Sequence, residues 1–128
     1  MLPVKAWVYG KLSADAALLA LLGGASHVID YEPEEKTFFP IVIFQKADES
    51  DTLFSDNMPG ASDIIFNVDA YTKADPSMPT TTEIGIAVVN VLQPLLFSCR
   101  SRDVHDPGQL IRHLHMEFRR AVVAGDLV

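Results

Sequence analysis

The sequence predicts an α+β fold: a mainly antiparallel four- or five-stranded sheet with two main helices packed on one face and a long loop or arm between the central strands. Three observations predict it. Residues 40–47, PIVIFQKA, form an apolar run without alternation, the pattern of a strand buried on both faces. Residues 62–73, SDIIFNVDAYTK, alternate, with Ile64, Phe66, Val68 and Ala70 on one side and Asp63, Ile65, Asn67, Asp69 and Tyr71 on the other. Ile84, Ala87, Val88, Val91, Leu92 and Leu95 recur at helical spacing. Strand runs with helices to one side make an α+β domain, and 128 residues are the length of one such domain, spanning 1–128.

The elements follow in order. Pro3 to Leu22 reads as helical, with Val4, Trp7, Val8, Leu12, Leu18, Leu19 and Leu22 at three- and four-residue spacing. Pro3 suits a first turn, and Ser13 followed by Asp15 offers the cap of a second short helix after a break near Leu12. Gly23-Gly24 ends the segment. SHVIDYE, stopped by Pro33, predicts an edge-type strand from about His27 to Tyr31. The apolar strand that follows belongs near the middle of the sheet. ADPSMP breaks the alternating strand, and Thr80 stands three residues before Glu83, a capping box that opens the second main helix. Pro94 kinks or ends that helix, because it lacks the N–H and crowds the carbonyl of Asn90. A short strand is expected near Cys99 to Val104.

The C-terminal third reads two ways. Asp106 as cap, Pro107 at the first helical position and Leu110, Leu114 and Phe118 four apart describe a helix. Leu114, Met116, Phe118 and Val122 opposite His113, His115, Glu117 and Arg119 describe a strand, whose apolar face Arg112 and Arg120 interrupt.

Charge and cysteine content narrow the function classes. The net charge of −7 is unevenly spread, residues 30–83 carrying 12 acids against 3 lysines. An acidic middle argues against gripping nucleic acid or an anionic membrane, since phosphate binding needs clustered Lys and Arg. No apolar run approaches the roughly 20 residues that span a bilayer. The single Cys99 allows no intramolecular disulfide, which fits a reducing, cytosolic site of synthesis.

Tests for chemistry return little. On a strand, His113 and His115 point the same way with Glu117 beyond, two nitrogens and a carboxylate for a divalent ion, but a solvated polar face explains them better and HLHME is not HExxH. GxSxG, GxxxxGK[ST] and GxGxxG are absent. Cys99 next to His105 or an arginine would be a reactive thiol; after a buried helix it reads better as a small core residue. The paired acids Glu34-Glu35 and Asp48-Glu49-Asp51 lie in turn-rich segments, where solvation leaves a carboxyl its ordinary pKa. No catalytic residue, metal site or cofactor is expected.

KLSADAALLALLGG, then a short strand, EEKTFFPIVIF, DIIFNVDAYTK, a helix ending VVNVLQPLL, and IRHLHMEFRRAV together resemble the tail-completion or tail-terminator proteins of long-tailed bacteriophages. The likeness covers nearly the whole chain in order, including Leu12, Asp15 and Leu18 and the apolar strand introduced by Pro40. It implies that residues 110–123 form a sheet strand. It further implies a structural protein of the virion, made in the host bacterial cytoplasm and placed at the tail-head junction. Such proteins form a homo-oligomeric ring, usually of six subunits, that caps the tail tube, joins it to the head connector and leaves a DNA channel whose acidity lets the duplex pass without sticking. The family has no catalytic residue or cofactor to transfer. The competing readings are a ligand-binding or adaptor module of the same architecture, and a small hydrolase or transferase using His105, His113 or Cys99.

One stretch bears on the partner surface. KADESDTLFSDNMPGAS, residues 46–62, is polar and acidic yet contains Leu53, Phe54 and Met58. It exceeds the usual hairpin loop of about 2 to 5 residues, and long ordered loops tend to be functional. The expectation is an arm or channel lining, with Leu53, Phe54 and Met58 anchored on a neighbour, Asp48, Glu49 and Asp51 at the same interface, and Asp51 and Asp56 facing the channel. The alternative is that Leu53 and Phe54 fold back on their own domain.

Overall fold

In the computed structural model the N-terminal helical segment divides at Asp15, with α1 spanning Val4–Ala14 and α2 spanning Ala16–Leu22. The structure describes residues 4–31, 33, 38–55, 58–95, 97–104 and 110–122, and of residues 4, 46–55, 58–62 and 122 the backbone alone. The Asp15 carboxylate accepts from the Leu18 N–H at 2.9 Å, satisfying one donor that a helix start leaves open. Gly23 closes α2 at φ 92°, and its N–H reaches the Leu19 carbonyl; this left-handed cap suits a residue without Cβ. Ser13 takes no part in the cap and donates to the Tyr9 carbonyl instead.

A 3₁₀ turn at Ala25–His27 leads into β1, Val28–Ile29, shorter than the strand expected there. The remaining elements are β2 (Ile41–Ser55), β3 (Met58–Lys73), α3 (Thr81–Leu92), β4 (Ser98–Asp103) and β5 (Ile111–Val122). The five strands lie in the order β1-β2-β3-β5-β4. Every neighbouring pair is antiparallel except β1 and β2, which run parallel and make the sheet mixed.

The expected faces hold. Ile41, Val42, Ile43 and Phe44 are all fully buried, and so are Ile64, Phe66, Val68 and Ala70, while the residues between them on β3 remain partly open. The core lies on one side of the sheet, where these β3 side chains, Val42, Phe44, Met116 and Phe118 meet Val8, Leu12, Leu18, Leu22, Ile84, Val88 and Leu92 of the three helices. Thr80 caps α3 as the sequence predicts, its hydroxyl accepting from the Glu83 N–H at 3.1 Å. After Leu92 the chain tightens into a 3₁₀ turn, Gln93–Leu95, so Pro94 ends the helix. Gly85 marks the close approach of α3 to β5: a Cβ there would stand 2.6 Å from Leu114 Cδ2.

Residues 111–122 are a strand, and the helical capping pattern at Asp106-Pro107 does not carry into it. The two arginines that interrupt its apolar face are accommodated at its ends. Arg120 donates to the Leu95 carbonyl and lies over the Phe97 ring at 5.9 Å, so its stem packs while its head is satisfied. Arg112 lines a shallow surface hollow with Thr72 and Pro79.

The reading of 46–62 as a loop is corrected. β2 and β3 stay paired from Ile41↔Tyr71 to Ser55↔Met58, with register shifts between Lys46 and Asp48, Asp51 and Leu53, and Leu53 and Phe54. Each such irregularity puts an extra residue in one strand and shifts the alternation to the other face, which is why a paired strand reads in sequence as an unpatterned loop. β5 joins β3 only from Ser62 onward, and β1 covers only Val42 and Ile43 of β2. Beyond these limits the hairpin is a two-stranded ribbon. What the sequence offers as a loop or arm is thus β structure, and only residues 52–55 and 58–61 lie beyond the β5 pairing.

Phe66, fully buried between Phe44 and Phe97 with ring centroids 6.3 Å away on each side, tests the core. Phe66→Ala should cost about 3–5 kcal/mol of unfolding free energy in urea titrations; a loss below about 1 kcal/mol would place the core elsewhere.

Candidate functional site: the open face and edges of the sheet

The face of the sheet opposite the helices is polar, and its centre is Asp69. In antiparallel register Asp69 stands across from His115, and Tyr71 across from His113, so all four side chains share one face. Asp69 Oδ1 accepts from His113 Nε2 at 2.7 Å and from His115 Nδ1 at 2.8 Å. The Tyr71 ring stacks on His113 with centroids 4.1 Å apart. Asp69 keeps only 17% of its side chain exposed. Burial alone would raise its pKa, but the two histidine hydrogen bonds and the histidine charges outweigh that and hold it below the ordinary carboxylate value.

Both histidines turn to Asp69, and Glu117 stands between Asn67 and Arg100 in the register. Among the described residues no group of three His, Cys, Asp or Glu side chains could hold a metal ion. Cys99 is exposed on β4, opposite Phe118, and is therefore not the small core residue expected. Its thiol pKa is raised by partial burial, the opposite of the activation a nucleophile needs. His105 lies outside the described residues.

The edge of the sheet is the second feature. All six residues of β4 are exposed, and nothing among the described residues pairs with its outer side. Toward the polar face Arg100 and Arg102 stand across from Glu117 and His115 and line a hollow of about 350 Å³ with them. Neither arginine has an ion-pair partner among the described residues. Toward the helix side a groove of about 410 Å³ runs between α3 and β4, lined by Ile86, Val89, Leu114 and Met116 among others; Ile86 is 57% exposed.

Of the residues singled out from sequence, Asp48, Glu49 and Asp51 lie on the β2-β3 hairpin where β3 also pairs with β5, and Leu53, Phe54 and Met58 on its two-stranded end, their side chains outside the described residues. Asp56 lies outside the described residues entirely. Asp69, Tyr71, Arg100 and Arg102 escaped notice as functional candidates. The alternation of β3 put Asp69 and Tyr71 on the open face, but the cross-strand register that brings the histidines to them belongs to the folded chain.

The sequence matches the family model described as tail completion protein gp17 over residues 6–123, and the chain belongs to that family. It is a phage tail-completion protein, a structural component of the virion tail. The fold is similar to a chain from the virion of a native gene transfer agent (GTA) particle, at a TM-score of 0.63 and 22% identity, covering 94% of each chain. No curated protein matches the sequence.

Asp69→Asn removes the charge that both histidines bond. The loss at pH 7 should be about 1.5–3 kcal/mol, the range for hydrogen bonds to a charged group. Because the folded pKa of Asp69 lies below the ordinary carboxylate value, the contribution is complete above the unfolded pKa and fades as pH falls through the folded one. Urea titrations of both proteins should therefore differ above the ordinary carboxylate range and converge as the pH falls through and below it; a difference independent of pH would contradict the assignment.

Proposed function

We propose that this protein closes the phage tail tube as a homo-oligomeric ring, of six copies, that joins the tube to the head connector and lets DNA pass through a central channel. The observation that carries the reading is the distal end of the β2-β3 hairpin, residues 52–55 and 58–61, which continues as a two-stranded ribbon past the part of the sheet paired to β1 and β5. An isolated ribbon leaves backbone groups and, here, Leu53, Phe54 and Met58 to be satisfied by something. A neighbouring subunit is the economical partner in a family that completes tails. Closed rings arise from head-to-tail contacts whose rotation closes.

Charge suits the same role. Residues 46–62 carry one lysine against Asp48, Glu49, Asp51 and Asp56. With Asp51 and Asp56 facing the channel, the lining repels the duplex phosphates and DNA moves through without being held. The role is mechanical, requires no cofactor, and is exercised at the tail-head junction after synthesis in the host cytoplasm.

Negative-stain micrographs of the purified protein, alone or with tail-tube protein, should show rings. Leu53→Ser with Phe54→Ser should abolish them while the monomer keeps its thermal transition within a few degrees. If the double variant fails to fold, those side chains belong to its own core; rings that persist would remove them from the interface.

A further inference from the structure

The sheet ends in two unlike edges, and their chemistry is complementary. At one end β2 is covered by β1 only at Val42 and Ile43, so its outer side from Gln45 to Ser55 is unpaired among the described residues, and this stretch carries Asp48, Glu49 and Asp51 against Lys46. At the other end β4 is a fully exposed edge strand bearing Arg100 and Arg102, with the apolar groove of Ile86, Val89, Leu114 and Met116 running beside it.

We infer that β4 and the α3-β4 groove receive the distal part of β2 from a second copy of this chain, so that the sheet continues from subunit to subunit. The inference rests on the ring reading and names the surface that the ribbon meets. Added strands satisfy backbone donors and acceptors at both edges. Asp48, opposite Ile65 in the register and so on the polar face with Arg100 and Arg102, meets the arginines, while the apolar part of the stretch, at Leu53 and Phe54, lies along the groove where Ile86 is otherwise 57% exposed.

Charge also selects the symmetry. Pairing β4 with β4, or β2 with β2, would bring like charges together across the new ladder, which is destabilising. Pairing β2 with β4 brings opposite charges together. Because these edges lie at opposite ends of the sheet, the contact is head-to-tail and repeats around a ring, instead of stopping at a two-fold dimer.

Two charge-reversed proteins test this. Arg100→Glu with Arg102→Glu gives a chain with two acidic edges, and Asp48→Arg with Glu49→Arg gives one with two basic edges. Each alone should lose the assembled species seen for the wild-type protein in light scattering, with its thermal transition retained. An equimolar mixture should regain it, because every junction then joins unlike charges. A second measurement leaves the charges in place: Ser50→Cys and Ser98→Cys, two proteins each in a Cys99→Ser background and with the new thiol on the face that carries Arg100 and Arg102, should form a mixed disulfide when mixed and mildly oxidised. Rings that form from either reversed protein alone, or rings without the mixed disulfide, would overturn the edge pairing and leave the ring reading standing. Wild-type protein that forms no ring even with tail-tube protein would overturn both.

Discussion

The pairing of β3 with β2 on one side and β5 on the other is the constraint on which the rest of the domain depends. Through it Ile64, Phe66, Val68 and Ala70 align with Val42 and Phe44 and with Met116 and Phe118, so that three strands present one continuous apolar surface to the helices. The side-chain period of a strand is two, and a slip of one residue in either ladder would turn an entire row of core side chains to the wrong face. The same register assembles the other face. Asp69 meets His113 and His115 only because β5 runs antiparallel to β3 with Asp69 opposite His115.

Helix placement answers to that surface. α1 and α2 are short, and their junction is held by the Asp15 cap and the Gly23 turn, which let the chain change direction while Leu12, Leu18 and Leu22 all stay buried. α3 lies close to β5 because Gly85 has no side chain to hold it off. It leaves β4 uncovered, and a bare edge strand is a feature that proteins blunt with charge or cover with a partner. Here the charge is present as Arg100 and Arg102, and the acidic distal stretch of β2 supplies its complement. The device that guards an edge against like edges thus also defines which edge it accepts.

Much of this was legible in the residues. The caps at Asp15 and Thr80, the stop at Pro94, the unbroken burial of Ile41 to Phe44 and the alternation of β3 are local signals, each produced by a residue acting on its own neighbours in the chain. Residues 111–122 were not decided locally. Helix and strand patterns both fitted, and family likeness pointed to the strand that pairs with β3. The ribbon was missed as β structure because its register shifts break the two-residue period, and Cys99 was misplaced because the core ends at α3 and β5, one strand short of β4.

By itself, then, the sequence determined the strong helices, the central strands, the inward face of β3 and the acidic bias of the middle of the chain, since these depend on periodicity and composition. Only the tertiary structure decided that residues 46–55 and 58–62 are paired strand, that one carboxylate serves two histidines 44 and 46 residues away, and that β4 is an open edge. Each of these is a matter of which strand lies beside which, and strand order and register are settled by long-range backbone pairing that no local pattern encodes.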